Sequence, residues 1–419
     1  MYQIWLKRLT NSKGLTVSKN HYFYLSKEIM NKRIKRILEN IKSILKYPTI
    51  HAALSKKNKL YFFSYSWSFG GGERVFVDML NLFKEEHPIC FVTGTSVTEG
   101  FRKEYEAAAH TINLNRWSQK KGLKGYMLKK VAKAINSQKE VTIVGWSSEF
   151  MYELIPLLAT HVKIIDITHN FTDNGKGLEL KTLPYVPRIN KRIVGSKGLI
   201  QQFEDLYKDN NIPLNYVDRL VFIRNRIPFD NFLPKKDYDN QLQVVFVARN
   251  SPEKRSEILI KAAEKCQQEN LPVVFKMIGD YDPKKIKAPS NVEMVGIVND
   301  KNIVNEYYKN AHILLLTSQR EGWGLVIFEA MNFGVVPIST NVGDLSYYVS
   351  NEKANGVLIE NRDDSELLAQ LFADEIKRFC NDSAQLKKYS QNAFETVKEL
   401  VETSDFEEVY RSVILGKSE

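Results

Sequence analysis

Ser318-Gln319-Arg320-Glu321-Gly322-Trp323-Gly324-Leu325-Val326-Ile327-Phe328-Glu329-Ala330-Met331-Asn332-Phe333-Gly334 is the stretch on which the reading of this chain turns. It follows a short apolar run, 312–316, that reads as a strand, and Ile327, Phe328 and Met331 recur at helical spacing. A strand that passes through a glycine-rich loop into a helix is the unit of a parallel sheet. The helix is expected to begin near Leu325 and to end at Gly334, a favourable C-cap residue. No Ser, Thr, Asp or Asn caps its start. Two glycines stand there instead, which leaves first-turn N–H groups to an external anion and lets a ligand approach the backbone. Glu321 lies in the loop before those N–H groups, and Glu329 about one turn into the helix. Both can accept hydrogen bonds from hydroxyls. On spacing alone, a plain turn and a surface carboxylate fit equally well.

The same alternation extends in both directions. Strands are expected at 59–65, 88–93, 110–114, 141–145, 162–168, 191–194 and 219–223, and again at 242–248, 273–278, 291–295, 312–316, 335–339 and 356–359. Amphipathic helices are expected between them, for example at 73–84 and 255–267. Pro228 to Asp239, rich in Pro and polar residues, separates the two series and reads as a linker. The expected architecture is α/β: two doubly wound, Rossmann-like domains facing a cleft, at 59–230 and 241–380. The C-terminal helices of 381–419 are expected to pack back across the cleft, and a basic, partly helical extension fills 1–58. Ligands bind such sheets at the carboxyl ends of their strands.

The chain has 419 residues and a net charge of +11. Residues 1–60 hold fourteen Lys and Arg against Glu28 and Glu39, so the remainder is nearly neutral. A nucleic-acid binder would carry basic residues along a groove of its folded body, so that class is set aside. Within 27–46, Met30, Ile34, Ile37, Leu38, Ile41 and Leu45 follow helical spacing among lysines and arginines. Such a helix lies on an anionic membrane or packs on the body with a solvated basic face, and periodicity leaves both open. Cys90, Cys266 and Cys380 are isolated and odd in number, which points away from disulfides and zinc and toward a cytoplasmic location. No apolar run reaches the ~18 residues of a membrane span.

Further clusters follow the strand ends. Arg249 and Lys254 leave the first strand of the second series, where they can bind a phosphate or remain a solvated basic turn. Gly70, Gly71 and Gly72 lie between the first strand and first helix and match neither a dinucleotide fingerprint nor a Walker loop. His169 stands at the carboxyl end of strand 162–168, facing the cleft, and as a lone histidine is open to a structural role. His312, inside an apolar strand, reads as a satisfied core residue. Asp280 and Asp282 have the spacing of a cation-binding pair, but Gly279-Asp280 reads better as a turn.

In this order the clusters resemble the retaining glycosyltransferases of family 4, which have the GT-B fold. The resemblance spans most of 59–360. Glu321 and Glu329 match that family's paired glutamates, and Arg249 and Lys254 its diphosphate-binding pair. Gly70 to Gly72 match its glycine-rich loop, and Gly279-Asp280 the end of a strand beside the nucleotide base. His169 matches a histidine near the reaction centre. The sequence departs from the pattern at Arg255 and Arg226, where the family has glycine, and at His312, where it has Asp. Arg255 is expected to narrow the diphosphate site.

The resemblance implies transfer of a sugar from a nucleotide-sugar donor, with UDP-sugars favoured, to a glycan or lipid-linked acceptor in cell-surface polysaccharide or lipopolysaccharide synthesis. It implies retention at the anomeric carbon and no cofactor or metal. Catalytic roles fall to His169 and Glu321. Donor binding falls to Gly71, Gly72, Arg249, Lys254, Gly279, Gly322, Trp323, Gly324, Leu325 and Glu329, with Glu329 on the ribose. A nucleotide-sugar epimerase or a non-catalytic partner subunit on the same fold are the alternatives.

Overall fold

The structure, a computed structural model, describes residues 47–171 and 177–416. Among the described residues, thirteen strands form two wholly parallel sheets. In the first, β1 (Leu60–Ser64), β2 (Ile89–Val92), β3 (His110–Asn113), β4 (Thr142–Trp146), β5 (Lys163–Thr168), β6 (Lys191–Val194) and β7 (Leu220–Phe222) lie in the order β3-β2-β1-β4-β5-β6-β7. In the second, β8 (Leu242–Val247), β9 (Val273–Ile278), β10 (Val292–Gly296), β11 (Ile313–Leu316), β12 (Val336–Thr340) and β13 (Val357–Ile359) lie in the order β10-β9-β8-β11-β12-β13. Every expected strand is present, with ends shifted by a residue or so. The chain thus has the GT-B architecture of two Rossmann-like domains.

Both faces of each sheet are covered, which is why the strands read as nearly continuous apolar runs. In β1, Tyr61 and Phe63 enter one core and Leu60 and Phe62 the other. In β8, Leu242, Val244 and Phe246 face one layer and Val245 the opposite one. This is the two-residue period of a strand acting on both sides.

The folded body begins before residue 59. Helix Tyr47–Leu54 buries Ile50 and Ala53 against the Tyr61 face of the first sheet, so the extension is shorter than expected. The amphipathic segment 27–46 lies outside the described residues. Among the described residues, no helix is long and apolar enough to cross a membrane.

Helices Ser365–Asn381 and Ser383–Glu402 pack on the second domain, burying Phe372, Ile376 and Val397. The chain then returns. Helix Phe406–Leu415 buries Phe406, Tyr410 and Ile414 in the first domain, and Arg411 pairs with Glu86 at 3.1 Å. Arg224, between β7 and the linker, donates to the Thr403 carbonyl at 2.6 Å, so the two crossings run side by side. His312 is a satisfied core residue. Its Nδ1 accepts from the Gln243 N–H at 3.0 Å, and its Nε2 donates to the Asp237 carbonyl at 2.8 Å.

Candidate functional site

In each sheet the strand order reverses between the first and fourth strands, β1/β4 and β8/β11. The connections leaving these neighbours diverge and open a crevice at the carboxyl edge. In the second sheet one loop carries Arg249 and Lys254 and the other carries Glu321. They meet there: Lys254 Nζ lies 2.5 Å from Glu321 Oε1, with both side chains largely shielded. Ser318 Oγ donates to the same carboxylate oxygen at 2.6 Å. The two loops are laced by Gln319 N–H to the Glu253 carbonyl at 2.7 Å and by Thr317 Oγ1 to the Lys254 carbonyl at 2.7 Å. Arg249 is exposed on the rim.

Helix Leu325–Met331 starts beside this pair. Gly324 precedes it at φ 71°, ψ 48°, a left-handed conformation suited to glycine, and no side chain caps the first turn. The helix stops at Met331. Gly334, expected as its C-cap, takes φ 65° in the turn toward β12. Trp323 is buried, its ring stacked on Phe328 at 4.1 Å, so its side chain is core and only its backbone belongs to the site. Glu329 is half-buried. Burial pushes its carboxyl above the usual range, while Lys301 and Arg74 pull it down and Asp78 adds to the rise. Arg74 and Asp78, 3.6 Å apart, stand on helix Gly71–Leu82 of the facing domain, so Glu329 feels charges from both walls.

The glycines of the facing wall differ in what they do. A Cβ on Gly72 would lie 2.6 Å from Trp146 Cζ2, whereas one on Gly71 meets open space. Gly72 therefore lets the helix start pack on an indole, and Gly71 is the position open to a ligand. Gly279, at φ 151°, has the Ala248 carbonyl oxygen 2.0 Å from its Cβ position, which lets the ends of β8 and β9 pass closely. Glu73, just after the triple glycine, accepts from Ser66 Oγ at 3.0 Å. Burial raises its carboxyl pKa, and Arg249 across the crevice is among the groups that oppose the rise.

His169 follows β5 and is half-buried, its ring 5.9 Å from that of Trp146. Burial lowers its pKa to about 4, so the imidazole is neutral at neutral pH. Gly322 sits against it across the domain boundary. Between the domains lies a cavity of about 710 Å³, lined by Asn170, Phe171, Leu199 and Gln202 on one side and Arg320 and Glu321 on the other. Glu321 thus stands between Lys254 and this cavity.

Three features escape a reading of the sequence. Asp344 of the second domain accepts the Lys197 and Gly198 N–H groups of the first at 2.5 and 3.0 Å. Arg74 and Lys301 converge on Glu329 from two domains. Arg255 does not narrow the diphosphate site, because its side chain is buried inside the second domain, donating to the Thr317 carbonyl at 2.8 Å and the Ser318 carbonyl at 3.0 Å. The Asp280 turn is also explained: its Oδ1 accepts from the Asn250 N–H at 2.5 Å.

Residues 229–396 match the family described as glycosyl transferases group 1. The chain is 24% identical over 319 residues to an uncharacterized glycosyltransferase of Haemophilus influenzae, covering 73% of this chain and 86% of that protein. It is 23% identical over 458 residues to the poly(ribitol-phosphate) alpha-N-acetylglucosaminyltransferase of Staphylococcus aureus, covering 96% of this chain and 84% of that protein. Among solved structures, an Anabaena protein in complex with UDP aligns with a TM-score of 0.59 at 15% identity, covering 81% of this chain and 95% of that one. Together with the fold, these matches support a glycosyltransferase of the GT-B type.

Proposed function

We propose that this chain transfers a hexose or related sugar from a nucleoside diphosphate sugar, UDP-sugars first, to a hydroxyl of a cell-surface glycan or lipid-linked acceptor, with retention and without a metal. The observation that carries this reading is the Lys254–Glu321 pair at the β8/β11 switch point, beside a helix start that no side chain caps. Glu321 accepts hydrogen bonds from the donor sugar. Lys254, Arg249 and the amides of Gly324 and Leu325 neutralise charge as the diphosphate departs. Glu329 accepts the ribose hydroxyls. The acceptor occupies the interdomain cavity, and its hydroxyl oxygen bonds to the anomeric carbon as the bond to the phosphate oxygen breaks. Its proton passes to that departing oxygen on the same face. His169, neutral and beside Gly322, offers a hydrogen-bonding edge at the junction of the two substrates.

The Staphylococcus aureus relative, by its name a sugar transferase onto a ribitol phosphate polymer, supports a cell-surface acceptor, and the Anabaena protein held with UDP supports a uridine donor. The basic segment 27–46 is the part proposed to reach an anionic membrane face. The test is incubation of the full chain with labelled UDP-glucose, UDP-galactose, UDP-N-acetylglucosamine and GDP-mannose. Release of the nucleoside diphosphate is expected from at least one. A folded protein that turns over none, and that no nucleotide stabilises against heat, sinks the proposal.

A further inference from the structure

Arg255 stands between Lys254 and helix Ser256–Gln268 at φ 47°, ψ 49°. This left-handed conformation is unfavourable for a residue that bears a side chain, so something in the fold must hold it there. The guanidinium is buried and forked. Besides the Thr317 and Ser318 carbonyls, it donates to the Arg362 carbonyl at 2.8 Å and to Asn361 Oδ1 at 2.6 Å. Asn361 in turn donates to the Gln319 carbonyl at 2.8 Å, and Thr317 Oγ1 returns a bond to the Arg255 carbonyl at 3.1 Å. The backbone on either side of the Lys254–Glu321 contact is therefore tied to one rigid, planar group. Two residues beyond this clamped segment comes Glu321.

We propose that Arg255 is a positioning residue: its fork fixes the 317–319 segment to the Lys254 turn and so sets where Glu321 presents its carboxylate to the donor sugar. The catalytic part of this inference rests on the donor reading above; the structural part does not. A lysine keeps a cation there but offers a single nitrogen in place of a fork. A glycine keeps the left-handed backbone without strain and removes the clamp.

The test uses the full-length chain. In unliganded Arg255→Gly, amide exchange at 317–322 should rise at least tenfold while β8 and β12 keep their protection. Arg255→Lys, which retains stem and charge, carries the same expectation if the glycine variant fails to fold. On donor turnover, Glu321→Gln should cost at least fivefold less in the Arg255→Gly background than alone, the signature of coupled residues. Unchanged exchange at 317–322 overturns the inference, and so does an equal cost of Glu321→Gln in both backgrounds. If the wild-type chain turns over no donor, the proposed reaction fails and the exchange experiment still decides the role of Arg255.

Discussion

Gly322 and His169 meet backbone to backbone across the two domains: a Cβ on Gly322 would lie 2.4 Å from the His169 carbonyl oxygen. The loop that carries Glu321 is thereby pressed against the end of β5. On its other side, a Cβ on Gly343 would lie 2.2 Å from the Gly322 carbonyl oxygen. The loop is a layer between two backbones.

Gly322→Ala should therefore push the domains apart without unfolding either. Misplacing reacting groups by about 1 Å can cost ~100-fold in rate, and kcat/KM for donor turnover should fall by about that much. The melting temperature should move by only a few degrees, because neither core is touched. Steady-state kinetics beside a thermal melt decide it; an unchanged kcat/KM would show that the contact is not needed in the working state.

Lys254→Met leaves the shielded Glu321 carboxylate with Ser318 as its remaining side-chain hydrogen-bond partner. Removing one partner of a shielded pair is worse than removing both, since it strands a charge. The single variant should lose ~1–3 kcal/mol in urea unfolding, and Lys254→Met with Glu321→Gln should recover part of the loss. Turnover should fall ~100–1000-fold in both. A double variant no more stable than Lys254→Met would remove the stranded-charge account.

Glu329→Gln separates stability from binding. Burial raises the folded carboxyl pKa above its unfolded value, so at neutral pH the ionised side chain costs stability. The amide carries no such cost, and the variant should melt at the same temperature or higher. Its affinity for UDP should fall about 10–100-fold through weakened ribose hydrogen bonds. Calorimetric titration with UDP checks this, and unchanged affinity would remove the ribose assignment.

His312 makes stability depend on pH. Its pKa is lowered from 6.5 to about 4 by burial, and its Nδ1 can accept from the Gln243 N–H only when unprotonated. The unfolded chain binds the proton more readily, so stability is full above pH 6.5 and declines as pH falls toward 4. His312→Asn should flatten the fall in urea midpoint between pH 7 and pH 5. An equally steep fall in the variant would assign the titration elsewhere, with His169 next in line.

Much of this was legible from the order of residue types. The strands of both sheets announce themselves because a parallel strand covered on both faces must be apolar throughout, and the loops because glycine and proline interrupt it. The glutamates, Arg249 and Lys254 are recognisable because each sits at a fixed distance from a strand end. Trp323 misleads for a physical reason: its neighbours in sequence are loop residues, but its ring finds Phe328 one turn into the following helix. Gly71 and Gly72 look equivalent in the sequence and diverge only when Trp146, from a different strand, arrives against one of them.

By itself, then, the sequence determined the strands and helices, the two-domain division and the residues that gather at the strand ends, since local periodicity and turn chemistry act over a few neighbours. Tertiary structure alone decided that Lys254 and Glu321 touch, that Arg255 turns inward to clamp their loops, and that Asp344 and Gly322 join the domains. These contacts link residues distant in the chain, and several of them end on backbone N–H or carbonyl groups, which every residue type presents alike and which leave no mark on the sequence.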